Sequence, residues 1–142
     1  MASVEFTVPG APRGKGSVRA RKAGSFIQTY MSKEDRAEML AVGMIARVAM
    51  AGRLPFTGPL ELKLCAYTPI AKSWSKKQRE AALAGEIFPT SKPDTSNIVK
   101  LCEDGMNAVV FTDDAQIVKL TAWKIYSSDP RVVIEVSEIA PG

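Results

Sequence analysis

The segment that decides the fold is residues 92–116, KPDTSNIVKLCEDGMNAVVFTDDAQ. Its proline fixes an extended entry, and Asp94, Thr95 or Ser96 can each cap a helix that starts directly afterwards. At about 100° per residue, the side chains of this helix separate into an apolar face and a polar face. The apolar face is formed by Ile98, Leu101, Cys102, Met106 and Val109, and the polar face by Asn97, Lys100, Asp104 and Asn107. The segment therefore predicts a helix over about 96–109 that packs on one side.

Alternating apolar residues predict strands before and after this helix. The strands are expected at residues 4–8, 60–66, 115–126 and 131–138, with a further short one at 26–30. The turn residues SSDP between the last two strands favour a hairpin.

Two more helices are predicted. The first is capped by Ser32 and ends near Gly52. It is predicted from apolar residues at helical spacing: Ala37, Leu40, Ala41, Met44, Ile45 and Val48. The second is a basic helix over 72–84, capped by Ser73 or Ser75. Together with the strands, this order predicts an α/β fold with a mixed sheet of about four main strands and helices packed on it.

Two basic stretches stand out from this layout. Residues 10–24, GAPRGKGSVRARKAG, are rich in glycine and positive charge, which predicts a flexible basic loop. Residues 70–90 are predicted to form a basic helical insertion, whose charges either touch DNA or form a solvated helix face.

The composition is that of a globular protein in one domain, residues 1–142, with 46% hydrophobic and 24% charged residues. No apolar run approaches the roughly 20 residues that span a bilayer, so we expect a cytosolic protein without a membrane partner. The two cysteines, Cys65 and Cys102, fall in apolar-patterned segments, which favours reduced core residues.

The chain contains no histidine. This absence excludes a serine–histidine triad, a histidine-metal nuclease finger and a histidine zinc site. Hydrolytic chemistry would then depend on carboxylates, with oxygen-bound Mg²⁺ or Mn²⁺ as the remaining metals.

The charges are segregated along the chain. The first 33 residues contain six basic residues and one acidic residue. Residues 94–114 contain five acidic residues and one basic residue, a net charge of −4, whereas the remainder of the chain carries +8. This pattern suits a polyanion held by lysine and arginine around a carboxylate-bound metal. A solvated surface with carboxylates at helix ends is the alternative.

The carboxylates of this acidic window lie at two chain positions, Asp94 at the helix entrance and the pair Asp113 and Asp114 at the next strand. A returning strand could bring the two positions together. Clustered carboxylates repel one another unless a cation compensates them, which favours a metal site, while helix capping and turn chemistry remain alternatives. Lys100, on the polar helix face, is placed to stabilise negative charge on a phosphate.

Three motifs in order, KPDTSNIVK, DGMN and TDDAQI, resemble the RusA family, whose pattern is K-P-D-x-D-N-x-x-K, a D-A-L-N-G helix end and a D-D-x-Q-I/V strand entry. This resemblance is close over residues 92–118. Weaker resemblance extends to GAPRGKGSVRAR, which is similar to the basic loop of phage-borne members, and to SWSKKQREAALAGE.

The resemblance implies a RusA-like fold and a dimeric, Mg²⁺-dependent resolvase that makes paired nicks across a four-way DNA junction. It further implies a role in recombination and repair, in the cytoplasm of a bacterium, with the gene carried by a phage or prophage. By matching position, Asp94 and Asp114 would be catalytic metal-binding carboxylates, Asp113 a neighbour of the metal and Lys100 the catalytic lysine. The supporting residues would be Asn97 and Asp104. The candidates for DNA-backbone contacts are Lys15, Arg19, Arg21 and Lys92.

The chain departs from the family pattern at Ser96, where a second aspartate is usual. A serine hydroxyl is a neutral and weaker Mg²⁺ ligand than a carboxylate. The alternative function is therefore a junction-binding module with weak or lost catalysis. A third interpretation is a basic α/β interaction domain whose carboxylates only cap helices.

Overall fold

A mixed four-stranded sheet forms the centre of the fold. The computed structural model describes residues 2–16 and 19–141. Along the chain the elements are β1 (Ser3–Pro9), β2 (Arg19–Ala23), β3 (Phe26–Tyr30), α1 (Lys33–Met50), β4 (Leu60–Thr68), α2 (Lys76–Leu83), α3 (Thr95–Met106), a 3-10 turn (Asp114–Gln116), β5 (Ile117–Tyr126) and β6 (Arg131–Glu138). The strand order in the sheet is β1-β6-β4-β5. The predicted α/β class and the sheet of four main strands are confirmed.

The strand β4 lies inside the sheet, between β6 and β5. It pairs antiparallel with β6 and parallel with β5, so the chain leaves β4, passes through α2 and α3, and returns as β5. Leu60, Leu62 and Leu64 of β4 are fully buried, and this apolar strand gains most by having a neighbour on both sides. The predicted hairpin between the last two strands is therefore wrong, because β4 separates β5 from β6.

The core lies between one face of the sheet and helices α1 and α3. Alternate residues of three strands point into it: Val4, Phe6 and Val8; Leu60, Leu62 and Leu64; Val132, Ile134 and Val136. The predicted apolar face of α3 is confirmed, since Ile98, Leu101, Cys102 and Met106 are buried. Val109 lies beyond the end of the helix and packs against the core only in part. Both cysteines are buried and free, as expected.

Two predicted helix caps are present. The Ser32 Oγ accepts the backbone N–H of Asp35 at 3.1 Å at the start of α1. At the start of α2, the Ser75 Oγ accepts the N–H of Gln78 at 3.2 Å, and the Gln78 side chain accepts the N–H of Ser75 at 2.9 Å. This reciprocal pair identifies Ser75, and not Ser73, as the cap. None of the helices in the described residues is long and apolar enough to cross a membrane.

The prediction of a loop over residues 10–24 is wrong in its second half. Arg19–Ala23 forms β2, which pairs antiparallel with β3. The two residues between these strands begin with Gly24, whose φ of +64° allows the tight reversal that a two-residue hairpin loop requires. All five residues of β3 are exposed, so the hairpin extends from the domain instead of entering its core.

The helices α1 and α3 pack backbone to backbone at two glycines. A Cβ atom on Gly105 would lie 2.6 Å from the carbonyl oxygen of Met39 and 2.8 Å from the Cβ of Val42. A Cβ atom on Gly43 would lie 2.9 Å from the carbonyl oxygen of Gly105. This contact turns one side of α1 inward: Val42, Ala46 and Met50. Three apolar residues of the opposite side are consequently exposed: Leu40, Met44 and Val48.

Gly105→Ala is expected to destabilise the protein. Overpacking typically costs about 1–3 kcal/mol, and here the new methyl group meets backbone and a β-branched side chain that cannot give way easily. The better helix propensity of alanine offsets at most about 1 kcal/mol. Urea unfolding measures the difference. The control is Gly58→Ala, because a Cβ atom there has no neighbour within 4 Å. Equal stability of the two variants would contradict the close contact at Gly105.

Candidate active site

A cleft of about 690 Å³ lies where the segment of residues 12–16 crosses the beginning of α3. Its lining residues are Pro12, Arg13, Gly14, Lys15 and Gly16 on one side, and Lys92, Pro93, Asp94 and Asn97 on the other. The fold thus places three basic residues and one carboxylate around a single cleft, although they come from opposite halves of the sequence.

Asp35, in the first turn of α1, holds this segment from one side. Its Oδ1 accepts from the Nε of Arg13 at 2.7 Å, and its Oδ2 accepts from the backbone N–H of Gly16 at 2.8 Å. The Gly16 hydrogen bond is the largest cause of the lowered pKa of the Asp35 carboxyl; burial opposes it, and Arg13 adds to the lowering. Asp35 therefore stays ionised at neutral pH despite its burial.

Lys15 ties the same segment to α3. Its backbone N–H donates to the carbonyl oxygen of Asn97 at 2.9 Å, and its ammonium lies 2.8 Å from the Oδ2 of Asp104. Gly14 permits the close approach, because a Cβ atom there would lie 2.8 Å from the Cβ of Pro93. Three of the predicted residues, Lys15, Asn97 and Asp104, are thus brought together by the fold.

Asp94 and Ser96 lie at the entrance of α3. Asp94 is the N-cap residue by position, and its carbonyl oxygen accepts the N–H of Ile98 at 3.1 Å. Its carboxylate makes no capping hydrogen bond and is exposed on the cleft. Side-chain capping therefore does not account for the Asp94 carboxylate. Ser96 is exposed on the first turn of the helix, two residues further on.

Asp113 and Asp114 lie at the entrance to β5. The Oδ1 of Asp113 accepts the N–H of Ala115 at 2.9 Å, and this bond is the main cause of the lowered pKa of Asp113. Asp114 is half-buried, and hydrogen bonding to Asp113 is the main cause of its raised pKa, with burial and the charges of Asp113 and Asp104 adding to it. The hydrogen bond within the turn thus explains why an aspartate stands at position 113. The surroundings of Asp114, in contrast, disfavour the ionised form of its carboxyl.

Glu103 joins this second acidic group. Burial is the main cause of its raised pKa, the charge of Asp114 raises it further, and the charge of Lys100 lowers it. Lys100 is exposed beside these carboxylates. Sequence reasoning did not select Glu103, because it lies outside the polar face of the predicted helix, on its partly buried flank.

The carboxylates form two groups instead of one. Asp104 lies ten residues after Asp94, about 15 Å along the axis of a helix. The charge of Asp104 raises the pKa of Asp114, so Asp114 lies toward the Asp104 end of α3. The part of β5 that returns to the entrance of α3 is its far end, where the Nζ of Lys124 donates to the carbonyl oxygen of Pro93 at 3.0 Å. Within the described part of the chain, no three acidic or cysteine side chains are grouped so as to hold one metal ion.

The remaining predicted DNA-contacting residues lie on two surfaces. Lys92 lines the cleft. Arg21 is exposed on the β2–β3 hairpin, where its Nε donates to the side chain of Gln28 at 3.2 Å. Arg19 belongs to β2, and its side chain lies outside the described residues. Sequence reasoning missed Arg13, since nothing in the basic segment distinguishes it from its neighbours, and it missed the Asp35 that binds it.

An α/β domain in which a basic segment and an acidic helix entrance line one cleft has the features of a protein that handles a polyanion. The chain belongs to the RusA family: residues 9–137, nearly the whole length, match the family described as Endodeoxyribonuclease RusA. The resemblance of its motifs is thereby confirmed, and its class is that of the endodeoxyribonucleases. The chain is also 33% identical over 145 residues to the uncharacterized protein YqaN of Bacillus subtilis (strain 168), with 99% of each chain covered.

Asp114→Asn is expected to raise the melting temperature of the metal-free protein at pH 7. Folding raises the pKa of Asp114, so ionisation of this carboxyl costs more in the folded than in the unfolded protein. The stability of the folded protein therefore falls as the pH rises through the raised pKa. Asparagine removes this charge, and the gain should shrink as the pH falls toward the unfolded-state pKa of about 3.9. Thermal unfolding in EDTA measures it, with the exposed Glu86→Gln as control. A lower melting temperature at pH 7 would contradict the crowding of the carboxylates.

Proposed function

We propose that this chain is a Mg²⁺-dependent, structure-selective endodeoxyribonuclease that resolves Holliday junctions by paired symmetric nicks in DNA recombination and repair. The observation that carries the proposal is the cleft at α3, whose lining combines the exposed Asp94 with Arg13, Lys15 and Lys92. Carboxylates alone repel a phosphate backbone, whereas a carboxylate within a basic cleft suits a metal-assisted nuclease. Membership of the RusA family supports the endodeoxyribonuclease class.

The oxygen ligands fit a hard divalent cation, Mg²⁺ or Mn²⁺ as its substitute. The carboxylate of Asp94 makes no capping bond, and a cation would stabilise the ionised form of Asp114, whose pKa is raised mainly by its hydrogen bond to Asp113. Mg²⁺ commonly takes one or two carboxylates and completes its shell with water and substrate phosphate, so three preformed carboxylates are not required. We therefore assign metal binding to both acidic groups: Asp94, with the Ser96 hydroxyl as a weaker ligand, at the entrance of α3, and Asp113 with Asp114 at the entrance to β5.

The remaining groups of the site either act on the phosphate or support the residues around it. When bound, the ion supplies Lewis-acid stabilisation of the phosphate and an activated water. Lys100, exposed beside the acidic group, is assigned to the charge that develops on the scissile phosphate. Asn97 and Asp104 support the site, since both contact Lys15.

We assign contacts with the DNA backbone to the basic residues of the cleft and of the hairpin: Lys15, Arg19, Arg21 and Lys92. Between Phe6 and Lys33 the chain has no acidic residue, so this stretch is strongly basic and attracts a polyanion, although Arg13 and Lys15 are paired with Asp35 and Asp104 of other segments. We place the activity in the bacterial cytoplasm, in a phage- or prophage-encoded protein, and the relative in Bacillus subtilis supports the bacterial setting.

A homodimer is part of the proposal, because two symmetric nicks require two equivalent sites related by a two-fold axis. Two surfaces of the described chain are open to a second copy. One is the exposed apolar side of α1, and the other is the outer edge of β5, where Val118 and Leu120 are exposed.

The second candidate function is a junction-binding module with weak or lost catalysis. Ser96 favours it, since this position offers a neutral hydroxyl at the entrance of α3 where the family pattern has a carboxylate. A synthetic four-way junction and a linear duplex of matched sequence, with Mg²⁺ and with EDTA, separate the candidates. A nuclease nicks the junction only with Mg²⁺, the module binds without nicking, and a generic interaction domain shows neither junction preference nor a metal effect.

Asp114→Asn is expected to reduce Mg²⁺-dependent nicking of the junction by more than about 100-fold, since even outer-shell partners of a metal cost about 10–100-fold. Junction binding in EDTA should change little, because the basic residues that contact phosphate are unaltered. Asp129→Asn, in the exposed turn before β6, serves as the control and should nick like the wild type. Parallel loss of nicking and binding would count against the separation of metal and DNA roles.

Ser96→Asp is expected to lower the Mg²⁺ concentration for half-maximal nicking, because it adds a carboxylate two residues after Asp94. Without metal the added charge should repel Asp94 and lower the melting temperature, whereas stabilisation by Mg²⁺ should increase through mass action. Ser128→Asp adds the same charge in the exposed turn between β5 and β6 and should leave the titration unchanged. An unaltered Mg²⁺ titration of Ser96→Asp would remove Ser96 from the metal site.

A further inference from the structure

We propose that Asp35 is a positioning residue for DNA binding, which holds the basic segment of residues 13–16 in place as one wall of the cleft at α3. The inference rests on the proposed function, since it assigns the wall of that cleft to the DNA. It concerns a residue of α1, an element to which the sequence motifs assign no role.

The side chain of Asp35 is only 4% exposed. A buried carboxylate is costly unless it is paired and hydrogen-bonded. A single segment satisfies both of its oxygens, through the Nε of Arg13 at 2.7 Å and the N–H of Gly16 at 2.8 Å. Hydrogen bonds to an ionised group are roughly twice as strong as neutral ones. Residues 13–16 therefore compensate the buried charge, and the charge holds those residues.

The helix α1 does not need the Asp35 carboxylate in order to begin. Ser32 caps the helix, and its Oγ accepts the N–H of Asp35 at 3.1 Å. A capping carboxylate would accept N–H groups of its own helix, whereas both oxygens of Asp35 bind groups of the segment that crosses to α3. The geometry thus indicates a tertiary role.

The opposite side of the segment fits α3 closely. A Cβ atom on Gly14 would lie 2.8 Å from the Cβ of Pro93 and 3.1 Å from that of Asn97, and the N–H of Lys15 donates to Asn97. The segment is therefore held between Asp35 and α3, with Lys15 on the part between them. Without Asp35, a glycine-rich segment would have to be ordered when DNA binds, and this ordering weakens binding.

The test compares Asp35→Asn with Glu34→Gln, its exposed neighbour in the same turn. Each variant removes one negative charge, so electrostatics alone predicts equal or tighter DNA binding for both. Positioning predicts the opposite for Asp35→Asn: its Kd for a four-way junction in EDTA should rise on the order of tenfold, equivalent to about 1.4 kcal/mol. Trypsin cleavage of the native protein after Lys15 should accelerate by a similar factor. Glu34→Gln should show neither change.

Gly14→Ala keeps every charge but pushes the segment of residues 13–16 away from α3, so it should weaken junction binding in the same way. This variant tests the positioning role if Asp35→Asn does not fold. Unchanged binding by Gly14→Ala would then overturn the proposal. Unchanged trypsin cleavage of Asp35→Asn, or faster cleavage with equal or tighter binding, would also overturn it. If the wild type binds duplex and junction alike, the proposed function fails, while a matching loss of general DNA binding in Asp35→Asn still supports the positioning role.

Discussion

The helices α1 and α3 meet at Gly43 and Gly105, where the close approach of the two helices leaves no room for a Cβ atom on either glycine. Because α3 meets α1 at Met39, Asp35 lies one turn before this contact, within reach of the segment that also touches Asn97. A wider separation of the helices would leave the segment without one of its two supports. The cleft, with a basic wall on one side and the entrance of α3 on the other, thus depends on close packing of two glycines.

The fold treats two carboxylates of this region in opposite ways. Asp35 is buried, but hydrogen bonds and an ion pair lower its pKa, so its charge is compensated within the chain. Asp114 lies against other carboxylates, and its pKa is raised. The first arrangement stabilises a segment of the chain. The second leaves the charges of Asp113 and Asp104 beside Asp114, the kind of arrangement that occurs at functional sites and that a cation would relieve.

The exposed apolar side of α1 shows that local periodicity predicts a helix but not which of its sides is buried. Residues at helical spacing predicted the helix and its cap correctly, but they did not indicate which side is buried. Leu40, Met44 and Val48 are exposed, because the small residues on the other side allow a closer approach to α3. Packing geometry, and not side-chain apolarity alone, selected the inner face of α1.

The sequence by itself determined the elements and motifs that depend on residues within a few positions of one another. These include the cap at Ser32, the apolar face of α3 and the α/β class, and the motif at α3 also identified the RusA family. Only the tertiary structure placed β4 between β5 and β6, converted part of the basic loop into a hairpin and kept Asp94 apart from Asp114. These features depend on pairings between segments that are distant in the sequence. A local pattern of residues does not determine which of these pairings is the most stable. Docking of residues 13–16 between Asp35 and Asn97 is of the same kind, since its partners come from three separate parts of the chain.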